Sequence, residues 1–356
     1  MATPIGIKKR VVIVGGGIAG SVLAYNLQHH ADVYLIDPKE YFEIAWASLR
    51  CMVEPSFAER SLINHREYVK NATVITAYAV GVTPNEVRTN QGRGVPFDYL
   101  VIATGHDDRT AFTKTEKISR YRMEQNKIKS ANSILIVGGG PVGVELAGEI
   151  AVDFPGKKIT LVHRGGRLLE FVGEKVSNKT LKWLRKKNVE VVLGDSVTNL
   201  NSSTNGVYKT SGGRSIRADI HFLCIGKPLA SSWLKESVLR DRLDERGRLK
   251  VDANLRVERC RNIFAIGDIT DIPEMKQGYL AQMHAGVVEK NIKSMIAGKE
   301  KLDAYKTGMQ MAIVSLGRSE AVAQISGVTM IGCIPGKMKS EDLYVGKTRK
   351  TLGLRS

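Results

Sequence analysis

Two stretches carry the same device. "RVVIVGGGIAGSVLAYNL" at residues 10–27 and "SILIVGGGPVGVELAGEI" at residues 133–150 each set a β-branched run before spaced glycines and a helix-forming run. A run that is apolar on both faces reads as a central strand of a parallel sheet, covered by helices. The glycines that follow, in the pattern G-x-G-x-x-G, allow a tight turn, close backbone approach to a diphosphate and close helix–strand packing. The free N–H groups at the helix start then point at the anion. Similar runs recur as "ADVYLID", "FDYLVIATG", "KKITLVH", "VEVVLGD", "ADIHFLCIG" and "NIFAIGD". The prediction is an α/β chain with two Rossmann-type dinucleotide-binding units. The polar stretches "GHDDRTAFTKTEK" and "LNSSTNGVYKTSGGR" read as a linker and a surface turn.

The first cradle comprises Gly15, Gly16, Gly17, Ile18, Ala19 and Gly20, with a helix predicted from about Ile18. Asp37 closes the next strand, 22 residues after Gly15, where a carboxylate can accept both hydroxyls of a ribose. The second cradle has Gly138, Gly140 and Gly143, but its next strand ends in His163 and Arg164 rather than an acid. Without a carboxylate nothing repels a 2′-phosphate, and Arg164, with Arg167 nearby, can pair with one, which favours NADPH. If these arginines are solvent-facing loop charges, NADH serves equally. Two unlike cradles imply one resident dinucleotide and one visitor. A flavin takes hydride from NAD(P)H, so FAD is the expected resident.

Composition narrows the remainder. A chain of 356 residues that is 43% hydrophobic can bury two or three cores, and it has no apolar run long enough to span a bilayer. The opening "MATPIGIKKR" reaches the first strand within ten residues, which argues against a secretory or transit segment and makes the cytosol the expected location. No glycine follows Met1, so the N-myristoylation signal is missing. Cys51, Cys224, Cys260 and Cys333 are widely spaced and read as ordinary reduced thiols, with no metal-ligand pattern. The excess of 53 Lys+Arg over 36 Asp+Glu gives a charge of +17, which attracts nucleic acid, anionic membrane or a phosphorylated cofactor, or is simply a solvated basic surface. No recognised nucleic-acid motif accompanies it, so nucleic acid is not the expected partner although charge alone does not exclude it.

The order "GGGIAG", "VIATGH" at residues 101–106, "GGGPVG" and "NIFAIGDIT" at residues 262–270 resembles the two-dinucleotide-binding-domain flavoproteins. Further segments, "ASLRCMVEPSFAER", "MKQGYLAQMHAGVVEKNI" and "SLGRSEAVAQISG" with "KMKSEDLYV", resemble the ferroptosis-suppressor branch of apoptosis-inducing-factor-like flavoproteins. That branch consists of NAD(P)H:quinone reductases related to type II NADH dehydrogenases. The resemblance implies an FAD-binding domain in two parts, residues 1–107 and 231–303, around an NAD(P)H-binding domain at residues 108–230. A C-terminal segment, residues 304–356, would face the flavin.

By the same resemblance, the "ATG" strand with Thr104 and Gly105 crosses back toward FAD, Asp268 bonds its ribityl–phosphate region, Arg50 contacts it, and the backbone near Ala77 lies by the adenine. Glu145 is placed near the nicotinamide–flavin contact, and Lys339 beside flavin and quinone; Tyr344 would wall the quinone pocket. Read alone, Asp268 is a turn cap, Arg50 a surface cation, Glu145 an acid in a helix's first turn and Lys339 one lysine of a basic tail. A helix from near Gln277 would aim its N–H groups at the flavin pyrimidine, favouring negative charge on the reduced ring.

Residues 337–356 hold six Lys/Arg and two Asp/Glu, interspersed with Met338, Leu343, Tyr344, Val345, Leu352 and Leu354. That pattern can lie on an anionic bilayer as a peripheral contact. The expected activity is electron transfer from NAD(P)H through FAD to a quinone. The rivals are a monodehydroascorbate or ferredoxin reductase of the same fold, and a flavoprotein that acts through binding nucleic acid or a partner.

Overall fold

The β-branched runs assemble into two parallel sheets in the computed structural model, which describes residues 8–108, 111–200, 205–307 and 311–355. Residues 1–7, on which the expectations about targeting and myristoylation rest, lie outside the described residues. So do residues 109–110 of the linker, 201–204 of the surface turn, and 308–310 and 356 of the C-terminal segment.

The first sheet has five strands in the order Ile263–Ala265, Tyr99–Ile102, Arg10–Val14, Asp32–Asp37, Ala72–Thr76, all parallel. The second has four, Val189–Leu193, Lys158–His163, Ser133–Val137, Ile220–Leu223, also all parallel. Each sheet buries both faces, as continuous apolar runs require. Val11, Ile13, Val33, Leu35 and Val101 pack under the helices Ile18–Leu27 and Gly278–Ile296. Their alternate neighbours Val12, Val14, Ile36, Leu100 and Ile102 pack instead against Val82, Val87 and Val95 of an antiparallel three-stranded ribbon, Ala79–Val82, Glu86–Thr89 and Gly94–Pro96.

The second sheet repeats this plan. Ile134, Ile136 and Leu161 lie under the helix Pro141–Asp153, while Leu135, Val137 and Val162 meet Tyr208 and Ala218 at the hairpin Val207–Lys209/Ser215–Arg217. The expectation of helices on both faces is therefore corrected: one face of each sheet carries an antiparallel ribbon. The stretch read as a surface turn forms that hairpin, and the stretch read as a linker already contains the start of the helix Lys114–Ser130, capped by Thr113.

The C-terminal segment ties the two sheets together. Its antiparallel strands Met311–Leu316, Glu320–Ile325 and Val328–Gly332 send Val314, Leu316 and Val322 into the core of the second sheet. The helices Cys333–Lys339 and Val345–Thr351 follow, and Leu343, Val345 and Leu352 enter the core of the first. The reading of residues 337–356 as a free amphipathic tail is corrected on this point, because Leu343, Val345 and Leu352, half of its six apolar side chains, are already buried in the protein.

Candidate active site

The two cradles match glycine for glycine. Gly15 and Gly138 turn the chain at φ +105° and +118°, where a side chain is strained. Their N–H groups donate to the carbonyls of Ile36 and Val162, both at 2.8 Å. A Cβ on Gly20 or Gly143 would collide with the carbonyl oxygen of Gly15 or Gly138, so these glycines let each helix pack against its turn. A Cβ on Gly17 or Gly140 would meet no protein atom within 4 Å. These two positions face open space at the helix N-termini, where a dinucleotide diphosphate would approach, and the helices begin at Ile18 and Pro141. Ala19 is buried behind the first turn.

The middle glycines reveal the difference between the sites. Gly16 N–H donates to Asp37 Oδ2 at 2.5 Å; Gly139 N–H donates to His163 Nδ1 at 3.1 Å. Asp37 also accepts from Lys39 N at 2.7 Å, so the residue expected to hold a ribose also pins its own cradle. Ala77 follows the adjoining strand, is buried, and donates its N–H to the Asp37 carbonyl at 3.1 Å. In the second cradle Arg164 is exposed, whereas Arg167 is committed to the Val172 carbonyl at 2.6 Å and to Ser177 Oγ at 2.9 Å. Arg167 is thus withdrawn as a phosphate partner.

Sequence reading missed His65. Its imidazole lies against Gly16, is fully buried, and is pushed down to about 4 by that burial. Ser21 Oγ donates to the Gly16 carbonyl at 2.8 Å and Tyr68 OH donates to Ser21 Oγ at 2.8 Å. That leaves His65 Nδ1–H to donate to the Tyr68 oxygen at 2.5 Å.

Around the position expected for the flavin, Thr104 Oγ1 donates to the Ala230 carbonyl at 2.9 Å, and the Gly105 carbonyl accepts from Ala230 N at 2.9 Å. The "ATG" loop is thereby bound to the chain returning from the second sheet. Asp268 lies in the short turn Gly267–Ile269, with Oδ2 3.0 Å from His106 Nδ1. Gly267 N–H donates to His284 Nδ1 at 3.0 Å, and Glu274 lies 2.9 Å from the other ring nitrogen. The helix expected from near Gln277 runs from Gly278 to Ile296 with Gln277 as its N-cap. Trp46 and Ile18 crowd the Cα of Gly278, and Trp46 makes an edge-on contact with Tyr344 at 6.1 Å between centroids.

Lys339 and Glu145, expected separately, form one unit. Lys339 Nζ donates to Glu145 Oε1 at 2.5 Å and to the Ile313 carbonyl at 2.9 Å, and the same carboxylate oxygen accepts Ser315 N–H at 2.9 Å. Both side chains are 11% exposed, so Lys339 is no tail lysine. Because the helix begins at Pro141, Glu145 is its fifth residue and not in the first turn. Its partner is a lysine rather than the helix dipole.

One turn further along, Glu149 takes Arg50 in a two-pronged ion pair at 2.5 and 2.9 Å. Arg50 also donates to the Ser340 carbonyl at 3.0 Å. Both side chains are 2% exposed, which rules out the surface-cation reading of Arg50 and makes it a rivet between both sheets' helices and the C-terminal segment. Burial raises the Glu149 carboxyl even with Arg50 beside it. Two acids four apart in the apolar helix "PVGVELAGEI" were the available signal for these buried pairs.

All four cysteines are free. Burial pushes the Cys51 and Cys224 thiols up to about 12, which suppresses thiolate at neutral pH. Among the described residues there is no group of side chains that could hold a metal ion and no helix long and apolar enough to cross a membrane.

Residues 9–289 match the model of the pyridine nucleotide-disulphide oxidoreductase family. The chain is 33% identical to apoptosis-inducing factor homolog B of Dictyostelium discoideum, with 96% of each chain covered. It is 31% identical to ferroptosis suppressor protein 1 of Xenopus laevis, with 97% of this chain and 96% of that one covered. Its fold matches the sulfide:quinone oxidoreductase of Aquifex aeolicus with a TM-score of 0.77 at 19% identity, over 96% of this chain and 92% of that one. Two diphosphate cradles with open Gly17 and Gly140 fit FAD and NAD(P)H, and the chain belongs to the pyridine nucleotide-disulphide oxidoreductase family, among the apoptosis-inducing-factor homologues and ferroptosis suppressor proteins.

Proposed function

We propose that the chain is an NAD(P)H:quinone oxidoreductase, with FAD on the first cradle and NAD(P)H visiting the second. The observation that carries this reading is the Lys339–Glu145 pair, which joins the second cradle's helix to the C-terminal segment at 2.5 Å. FAD supplies two-electron chemistry, taking a hydride from the reduced coenzyme and passing the electrons to an acceptor. The balance is NAD(P)H + H⁺ + quinone giving NAD(P)⁺ + quinol.

The protein's part is to bind, orient and place charge. Lys339 sets a cation at a pre-organised position, held by Glu145 and the Ile313 carbonyl, where it can stabilise the oxyanion of a quinone being reduced. Glu145 keeps that ammonium in place and accepts the Ser315 N–H. Trp46 and Tyr344 supply apolar wall. The helix Gly278–Ile296 offers its positive end to negative charge. Asp268 and the turn at Thr104 and Gly105 are the proposed FAD contacts on the inner side, and Arg50 supports the site through Glu149 rather than by facing solvent. Free, high-pKa thiols favour an acceptor other than a dithiol relay within the chain.

A peripheral membrane contact is part of the proposal. It rests on the face of the helix Cys333–Lys339 that leaves Ile334 70% and Met338 46% exposed. Exposed apolar side chains beside lysines suit an anionic lipid surface that holds a lipophilic quinone.

Steady-state turnover of the FAD-loaded chain with a short-chain ubiquinone, monodehydroascorbate, a ferredoxin and a disulfide tests the reading. The quinone should be reduced with the largest kcat/KM. Faster turnover with any of the other three would refute it.

A further inference from the structure

The second cradle keeps the architecture of the first but changes the chemistry of its pin. His163 Nδ1 accepts the Gly139 N–H, so the proton of the neutral ring sits on Nε2. His163 therefore does the structural work of Asp37 without its negative charge. A carboxylate reaches this place from elsewhere. Glu170, seven residues on, puts Oε2 4.0 Å from His163 Nε2 and lays its carboxylate over Gly165, where a Cβ would collide with it.

This placement is built. Leu169 donates its N–H to the Gly139 carbonyl at 2.9 Å, strapping the loop to the cradle turn itself. Leu168 and Leu169 are buried in the core, and Leu169 sits at φ +51°, a left-handed conformation that a branched residue keeps only where its surroundings impose it. The turn at Leu169 reverses the chain and returns Glu170 over the strand end. Arg167 clamps the Glu170 and Val172 carbonyls, fixing the loop backbone while the Glu170 side chain stays 55% exposed at the mouth of the cradle.

We propose that Glu170 is the coenzyme-selecting carboxylate of the second cradle: it accepts the adenosine ribose hydroxyls of NADH and opposes the 2′-phosphate of NADPH, against the attraction of Arg164. The proposal rests on the reading of this cradle as the coenzyme site. It also revises the lean toward NADPH, whose premise was that no carboxylate faces the ribose. The strand end has none, but the loop supplies one.

Calorimetric titration of the FAD-loaded chain with ADP-ribose and with 2′-phospho-ADP-ribose separates the contributions without turnover. Wild type should bind ADP-ribose more tightly. Glu170→Gln, which keeps shape and removes charge, should weaken ADP-ribose and strengthen the phosphorylated ligand, moving their ratio about tenfold for one half-exposed charge. Arg164→Ala should weaken mainly the phosphorylated ligand. The KM ratio for flavin reduction by NADH and NADPH should move in parallel. A ratio unchanged by Glu170→Gln, or equal changes for both ligands, would overturn the assignment while leaving the coenzyme site in place. Failure of wild type to bind either ligand would overturn the reading of the cradle and the assignment with it.

Discussion

His65 makes acid stability a readout of the first cradle. Its imidazole is held neutral because burial disfavours the charged ring, with the pKa pushed down from the ordinary 6.5 to about 4. Nδ1–H is committed to Tyr68, and the rest of the ring is buried. The unfolded chain takes up a proton on this residue as pH falls through 6.5, whereas the folded chain does so only near 4. The group's contribution is therefore fully present above pH 6.5 and is lost as pH falls toward 4. Between pH 7.5 and 5.0 the loss should be about 2 kcal/mol. His65→Asn keeps an N–H near Tyr68 but cannot titrate. The stability difference between wild type and His65→Asn, measured by urea unfolding of the FAD-loaded protein with flavin fluorescence as signal, should thus shrink by about 2 kcal/mol between those pH values. Other buried histidines, such as His284, cancel in this difference. A difference independent of pH would refute the neutral, buried state of His65 and the polar chain derived from it.

The glycines separate folding from cofactor binding: Gly17→Val should abolish FAD retention while unfolding at nearly the midpoint of the wild-type apoprotein, whereas Gly20→Val should lower the apoprotein's stability by about 1–3 kcal/mol or more, as a forced overpacking does. Flavin absorbance and thermal melts of the purified proteins would check both. Lys339→Met should slow flavin reoxidation by quinone, by up to about 10²–10³ for a lost pre-organised charge, and destabilise the fold by stranding Glu145; adding Glu145→Gln should restore stability but not rate. Rapid mixing and melts of the single and double variants would show this split. Ile334→Glu with Met338→Glu should release the protein from anionic vesicles without altering turnover of a water-soluble quinone, as judged by co-sedimentation.

Much of this arrangement was legible because backbone requirements are local. The eight β-branched runs all form strands, and both G-x-G-x-x-G turns open helices, at Ile18 and Pro141, since doubly apolar strands and positive-φ glycines leave few alternatives. The covering ribbons were not legible. "AVGV", "EVRT" and "GVP" are too short and mixed for a period-two signal, and the sheet supplies their partners. Side-chain roles that depend on distant partners were hidden as well. Arg50 and Glu149 lie 99 residues apart, and Lys339 and Glu145 lie 194 apart, so although two acids in an apolar helix hint at burial, nothing local names the cations that pair with them. Glu170 escaped notice because a carboxylate was sought at the strand end, while the left-handed turn at Leu169 delivers it from the loop.

The central claim is that two cradles serve two dinucleotides, one feeding electrons to the other. Gly140→Val isolates it, because a Cβ at this position meets no protein atom within 4 Å and the side chain would extend into the open space where the visiting coenzyme's diphosphate is expected. Under anaerobic rapid mixing, the FAD-loaded variant should fail to be reduced by NADH or NADPH. The same variant, reduced with dithionite, should be reoxidised by quinone at the wild-type rate. Reduction by NAD(P)H at wild-type rate, or a loss of quinone reoxidation in a folded, FAD-loaded variant, would contradict the division of labour between the cradles.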